Sequence, residues 1–196
     1  MPDHNLIITT ERLILREIQL ADWPAVLNYQ QQPDYLRYYP WRFRTPQAVQ
    51  EFLNLFIEWQ HEEPRTKFQL AVVLPKTGQL IGLCGIRKRY PQAREAELGY
   101  EINPAWWGRG YATEASLAML NFAFSNLSIH RVWASCISEN GASVRVLEKM
   151  GLLCEGRLRE NRWMKGRWWD SLIYAILEQE WWARLELAKQ AGNPHG

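Results

Sequence analysis

Two glycines separated by one arginine, Gly108-Arg109-Gly110, stand just ahead of a helical pattern that runs from Thr113 to about Asn126. A glycine turn feeding a helix N-terminus leaves several backbone N–H groups without intrahelical partners and aims them one way. The helix dipole adds positive potential at the same place, so these residues offer the chemistry of holding a phosphate. The run before them alternates like a strand, with Leu98, Tyr100 and Ile102 on one side and Glu97, Gly99 and Glu101 on the other. Asn103-Pro104 ends that strand, because proline removes a donor and restricts the residue before it. Residues 94–115 are therefore expected to hold a phosphorylated cofactor.

Three kinds of glycine turn compete for this reading. A P-loop ends in Gly-Lys-Ser/Thr, whereas Gly110 is followed by Tyr111-Ala112. A dinucleotide fingerprint needs glycine or alanine where Thr113 stands, and it usually follows the first strand of its fold. A structural turn with no ligand stays open on the two glycines alone. Elsewhere the chemistry is sparse. His4, His61, His130 and His195 have no metal-ligand spacing, so no metal is expected. Cys84, Cys136 and Cys154 lie in or beside apolar runs without a neighbouring histidine, which reads as buried thiols in a reducing cytosol.

The elements that must position these residues fit one domain over 196 residues, with a core of about 9–178 and a frayed end at 192–196. Thr9–Ile18 reads as a first strand, and Asp22 with Pro24 opens a short helix. Residues 32–44 are aperiodic but carry Tyr35, Tyr38, Tyr39, Trp41 and Phe43, which suits a hydrophobic lid or a pocket wall. Thr45-Pro46 starts a helix whose apolar stripe is core. Phe68–Leu74 and Leu80–Arg89 form a hairpin about Thr77-Gly78, in which Gly82 and Gly85 mark a bulge or a close backbone approach. Strand 94–102, helix 113–126, strand 130–138, helix 142–150 capped by Gly151, strands 152–163 and 168–177, and a terminal helix 181–188 follow. This order predicts a mixed, mostly antiparallel α/β sheet with one parallel crossover. A net charge of +2 is too small to argue for nucleic acid or anionic membrane as a partner, so no membrane is expected and direct nucleic-acid binding is not favoured. No apolar run matches a membrane span, and Met1-Pro-Asp-His lacks the form of a signal peptide.

The longer string narrows the cofactor. Glu97-Leu-Gly-Tyr-Glu-Ile, Asn103-Pro, Trp107-Gly-Arg-Gly-Tyr-Ala-Thr-Glu-Ala115, Asn140-x-x-Ser143 and Leu147-Glu-Lys-Met-Gly151 resemble the GNAT superfamily of acyl-CoA-dependent N-acetyltransferases. Thr10-Glu-Arg-Leu-x-Leu-Arg16, Glu155-Gly-x-Leu-Arg159 and Gly166-x-Trp-x-Asp170 look like its RimJ/RimL branch, which modifies ribosomal-protein N-termini. The resemblance spans roughly 9–178. It implies a GNAT fold with helices on both faces and acetyl-CoA in a splay between two central strands. The backbone of Glu101, Ile102 and Asn103 would pair with the pantetheine arm. Amides of Gly108, Arg109, Gly110, Tyr111, Ala112 and Thr113 would hold the pyrophosphate, with Arg109 adding charge. Asn140 would touch the pantetheine, and Ser143 would sit near the sulfur. The superfamily's usual tyrosine proton donor falls at Leu147, so Ser143 or a water must serve instead.

Acetyl transfer from a thioester needs a neutral amine, a donor for the developing oxyanion and a proton for the leaving thiolate. An α-amine with a pKa of about 8 is already partly neutral near physiological pH, whereas a lysine at about 10.4 costs on the order of 4 kcal/mol more to deprotonate. A protein N-terminus is therefore the simplest acceptor, and small amines such as aminoglycosides or polyamines are the alternative. Glu97 is the candidate base, the Ile102 N–H the candidate oxyanion donor and Ser143 the candidate thiolate donor. A second functional class, an RNA- or ribosome-binding module, rests on Arg157–Trp169, where Arg157, Arg159, Arg162, Lys165 and Arg167 interleave with Trp163, Trp168 and Trp169. The expectation for that segment is a hairpin with a basic turn and inward tryptophans. Oligomeric state, a homodimer included, is left open.

Overall fold

The computed structural model describes residues 6–191. The readings of Met1–His4, of the 192–196 tail and of His195 fall outside those residues. An eight-stranded sheet runs in the order β1-β2-β3-β4-β5-β6-β8-β7. The expected first strand is a small hairpin, β1 (Ile7–Thr9) and β2 (Ile14–Glu17), because Thr10 turns the chain by bonding Leu13 through its main chain and its hydroxyl. Helices α1 (Trp23–Gln30), α2 (Pro33–Leu36) and α3 (Pro46–Gln60) follow. Thr45 caps α3 as expected, its hydroxyl accepting from the Ala48 amide at 3.1 Å. Asp22 precedes α1 but its side chain makes no cap bond to that helix. Its carboxylate instead takes the Arg16 guanidinium and the Gln19 amide.

Strands β3 (Lys67–Val73) and β4 (Leu80–Lys88) form the predicted hairpin. Both are buried along most of their length, since helices cover both sheet faces, and so they read as continuous apolar runs. A bulge lies between Val72 and Val73, and a Cβ on Gly82 would stand 2.2 Å from the Glu101 carbonyl oxygen. The close approach read from that glycine is real. It lets β5 (Glu95–Ile102) lie tightly on β4.

Helix α4 (Tyr111–Asn126) carries the chain from β5 to β6 (Arg131–Ile137), which pairs with β5 in parallel. Helix α5 (Gly141–Lys149) leads through Gly151, at φ +87°, to the antiparallel pair β7 (Leu153–Met164) and β8 (Arg167–Leu177) and then to α6 (Glu178–Ala191). One core lies under α4, α5 and α6 and includes Leu98, Met119, Leu147 and Trp181. The other lies under α1, α2 and α3 and includes Tyr29, Tyr35, Leu53 and Phe56. The alternation of β5 thus divides between two cores. Leu98 and Ile102 face the first, while Glu101 faces the helices of the second.

Two expectations fail at the β7 edge. Cys154 is exposed, because β7 is the outermost strand. Only Trp169 turns inward, against Ile137, Met164 and Tyr38, while Trp163 and Trp168 are 61% and 52% exposed and pack edge-to-face on each other.

Candidate active site

The central feature is a pairing that stops. Strand β5 pairs with β6 only at Glu95–Arg131, Ala96–Val132 and Glu97–Trp133. On their outer sides β5 stays paired with β4 through Ile102, and β6 stays paired with β8 through Ile137. Beyond Glu97 the two strands therefore diverge. A cleft of about 410 Å³ occupies the opening, lined by Tyr100, Glu101 and Ile102 from β5, the 106–113 turn, Asn140 and Ser143 at the start of α5, and the aromatic segment 35–39.

The glycine turn sits at the mouth of this cleft. Gly108 and Gly110 have φ of +74° and +81°, a left-handed backbone that side chains other than glycine rarely adopt. A Cβ on Gly108 would meet only open space, so its glycine answers to backbone shape and to what approaches from the cleft. Gly110 is the N-cap of α4 and supplies no side chain to the first-turn amides of Tyr111, Ala112 and Thr113, all three of which line the cleft. An uncapped sixteen-residue helix opening into a cavity is a fitting holder for pyrophosphate. Arg109 does not line the cleft. Its guanidinium stacks on the Trp106 ring at 4.8 Å. The cations that do face the cleft are Arg37, Arg145 and Lys149, which sequence reasoning missed. The last two lie four apart on α5, a helical spacing that could have flagged them.

Main-chain direction limits what β5 can offer. The Asn103 amide donates to the Ile81 carbonyl at 2.8 Å, and the Glu101 carbonyl lies against Gly82, so both point toward β4. Successive strand residues point opposite ways, which turns the Ile102 main chain toward the opening. Its carbonyl already accepts from the Trp107 indole N–H at 2.6 Å, leaving the N–H to face the cleft. Of the main-chain groups of Glu101–Asn103 expected to meet the cofactor, these bonds leave the Ile102 N–H.

The Glu101 side chain has a place of its own. Tyr29 and Tyr35 hydroxyls each donate to it at 2.5 Å, and Gln30 Nε2 donates at 2.9 Å. Burial, then the Glu101 charge, pushes both tyrosines far above the usual phenol range, so they remain donors. Tyr35, Tyr39 and Trp41 stack in sequence at 4.5 and 5.0 Å. The 32–44 segment is therefore both lid and wall: Tyr35 sits in the core, and Tyr35, Tyr38 and Tyr39 also line the cleft.

Glu97 lies elsewhere. Four residues down the strand from Glu101, roughly 13 Å, it lines a second chamber of about 220 Å³ with Arg87, Gly99, Ser135 and Arg162. Tyr100 and Ser143 line both spaces and so form the wall between them. The Tyr100 hydroxyl is 2.8 Å from Ser143 Oγ and 3.2 Å from the Ser143 carbonyl, and either oxygen can accept its one proton. Burial raises the Tyr100 phenol above its ordinary range, so it stays protonated. Ser143 does not spend its hydroxyl on the helix start, because Asn140 Oδ1 accepts from the Ser143 amide at 3.1 Å. Leu147 is buried and provides no hydroxyl here. Among the described residues, no group of three or more His, Cys, Asp or Glu is placed to hold a metal, and no helix is long and apolar enough to cross a membrane.

A parted parallel pair, with an uncapped helix start at its mouth, is the arrangement that the resemblance to acyl-CoA-dependent acetyltransferases implies. The chain belongs to the GNAT acetyltransferases: the model of the acetyltransferase (GNAT) domain family matches residues 12–153. It is 34% identical to the uncharacterized N-acetyltransferase YnaD of Bacillus subtilis, over 89% of this chain and 98% of that one. It is 25% identical to the [ribosomal protein uS5]-alanine N-acetyltransferase of Escherichia coli, over 89% and 92%. A GNAT-family acetyltransferase structure from Bacillus anthracis superposes with a TM-score of 0.78 at 32% identity, covering 89% of this chain and all of that one.

Proposed function

We propose that this acetyltransferase moves an acetyl group from acetyl-CoA to a primary amine, most simply the α-amine of a protein N-terminus as in the RimJ/RimL branch, with the whole chain acting as one domain. The observation that carries this reading is the uncapped start of α4 behind two left-handed glycines, opening into a cleft that runs to the parting of β5 and β6. The likeness to a uS5-alanine N-acetyltransferase favours an α-amine.

Bound acetyl-CoA supplies an acyl group activated by a thiol leaving group. Amides 108–113 hold the pyrophosphate, with Arg145 and Lys149 adding charge. Asn140 keeps its amide nitrogen for the pantetheine, since its oxygen caps α5. The Ile102 N–H donates to the acyl oxygen as charge develops there. The acceptor amine comes in through the second chamber, and its proton passes through bridging water to Glu97 as the N–C bond forms and the C–S bond breaks. Tyr100, remaining protonated, donates to Ser143 Oγ, which turns the serine proton outward to the departing sulfur. Transfer is direct, within a ternary complex.

The test is release of free CoA thiol across a panel of N-terminal peptides and small amines, with mass spectrometry of the products. Acetylated peptide α-amines are the expected result. Turnover confined to polyamines or aminoglycosides would replace the acceptor, and labelled acetyl on an enzyme cysteine would overturn direct transfer. RNA binding with no transfer to any amine would overturn the enzymatic reading of this chain's site.

A further inference from the structure

The second chamber carries an imbalance of charge. Its charged lining is Arg87, Arg162 and Glu97, two cations against one carboxylate. Arg87 is a fixed member, donating to Gln69 Oε1 at 3.0 Å and lying over Gly99, where a Cβ would stand 2.5 Å from its Nη2. Its approach to Glu97 is long, 3.6 Å from Nε to Oε2, beyond the usual length of a charge-assisted hydrogen bond. Arg162 meets only the Ser135 hydroxyl, at 3.4 Å, and no carboxylate lies within ion-pair distance of it among the described residues. Two other arginines of the same hairpin differ. Arg157 is paired with Asp170 at 2.5 Å and Arg167 with Glu139 at 2.8 Å. The one hairpin arginine that reaches the chamber is thus left without an anion.

We propose that this chamber binds a carboxylate carried by the acceptor within a few bonds of its reacting amine, with Arg162 as the specificity-determining residue and Arg87 as its fixed partner. The inference rests on the reading that the acceptor enters through this chamber. A guanidinium presents parallel N–H donors that match a carboxylate. The net charge of the lining, +1, suits a monoanion, and Glu97 disfavours a dianion such as a phosphate monoester. The carboxylate has two sources: the α-carboxylate of a free amino acid, or an acidic side chain at the second residue of a peptide. Both put the anion beside the amine that must meet Glu97 and the Tyr100–Ser143 wall.

The experiment measures kcat/KM, per neutral amine, at saturating acetyl-CoA for two matched pairs. One pair is L-alanine against L-alaninamide, and the other is the peptide amide Ser-Asp-Ala against Ser-Asn-Ala. The expected result is a preference of about tenfold for the anionic member of one pair, and which pair shows it identifies the source. Arg162→Gln should remove that preference and Arg162→Glu should reverse it. Because Arg162 is exposed, both variants are expected to fold, which circular dichroism and acetyl-CoA binding confirm. Equal kcat/KM within both pairs, or a preference that survives Arg162→Gln, overturns this inference and leaves the proposed function standing. Transfer to none of the four acceptors, with acetyl-CoA still bound, overturns the reading of the chamber as the acceptor's entrance and this inference with it.

Discussion

Tyr100 and Ser143 join β5 to the first turn of α5 across the parting of the sheet, hydroxyl to hydroxyl at 2.8 Å. Ser143 lies four residues before buried Leu147, the position at which the resemblance puts the superfamily's usual tyrosine. Removing the phenol should disturb the serine's orientation more than the fold. Tyr100→Phe is expected to lower kcat by about tenfold to a hundredfold with little change in the KM for acetyl-CoA, and to cost about 1 kcal/mol in denaturant unfolding. Ser143→Ala should match it. The double variant should be no slower than either single, since both remove one unit.

Gly110 tests the cradle. A valine there would force a β-branched side chain into φ +81°, at a cost of about 1–2 kcal/mol or more, with its Cβ 3.4 Å from Arg12 Nη2. Gly78→Val provides the control, since Gly78 has φ +69° but sits in the β3–β4 turn with open space around it. Both variants should melt earlier. Only Gly110→Val should lose the rise in Tm that acetyl-CoA gives the parent protein, and a preserved rise would remove the cradle from the 108–113 turn.

Glu97 should reveal itself through pH. Glu97→Gln is expected to reduce kcat/KM for a peptide α-amine about a hundredfold near neutral pH. Part of the loss should return as pH rises past about 8, where the amine is neutral without help. Glu95→Gln, two residues away at an exposed glutamate paired with Arg131, should keep the parent profile. Identical profiles for the two variants would take the base away from this strand position.

An acid-sensitive brace lies behind the cradle. Burial alone would raise the Glu114 carboxyl, but the Thr10 hydroxyl, the Arg12 amide and the Arg12 guanidinium outweigh it and hold it below the usual carboxylate range. A depressed folded pKa contributes stability that is full above the unfolded value of about 4.3 and disappears as pH falls through the folded value. Tm should therefore drop more steeply below about pH 4.3 in the parent than in Glu114→Gln. Arg12 also donates to the Arg109 carbonyl at 3.1 Å, so the variant should weaken acetyl-CoA binding at neutral pH too.

Thiol reactivity separates direct from covalent transfer. Cys84 is fully buried and its thiol is pushed up to about 12, while Cys154 is exposed on the edge strand. A disulfide reagent at pH 8 should titrate Cys154 first and leave Cys84 untouched until unfolding. Cys154→Ser should retain full turnover.

Much of this arrangement could be read before any coordinates. The glycine turn, the cap at Thr45, the left-handed stop at Gly151 and the close approach at Gly82 each follow from a local rule about one residue type. The alternation of β5 correctly sorted Leu98 and Ile102 from Glu97 and Glu101. It did not show that the two glutamates serve different spaces, because that depends on where β6 leaves β5 and on which helices pack beside each carboxylate. The exposure of Trp163 and Trp168 was hidden for a similar reason. Composition cannot tell an edge strand from an inner one.

A sheet that stops pairing midway carries two raw edges inside the molecule, where a third chain cannot easily reach them. At an outer rim such edges would invite another protein to add a strand. Between β5 and β6 the flanking strands and the start of α5 stand beside them. In the proposed reading the cofactor's amide-bearing arm satisfies this inner edge, the part that another protein's strand would take at an outer rim.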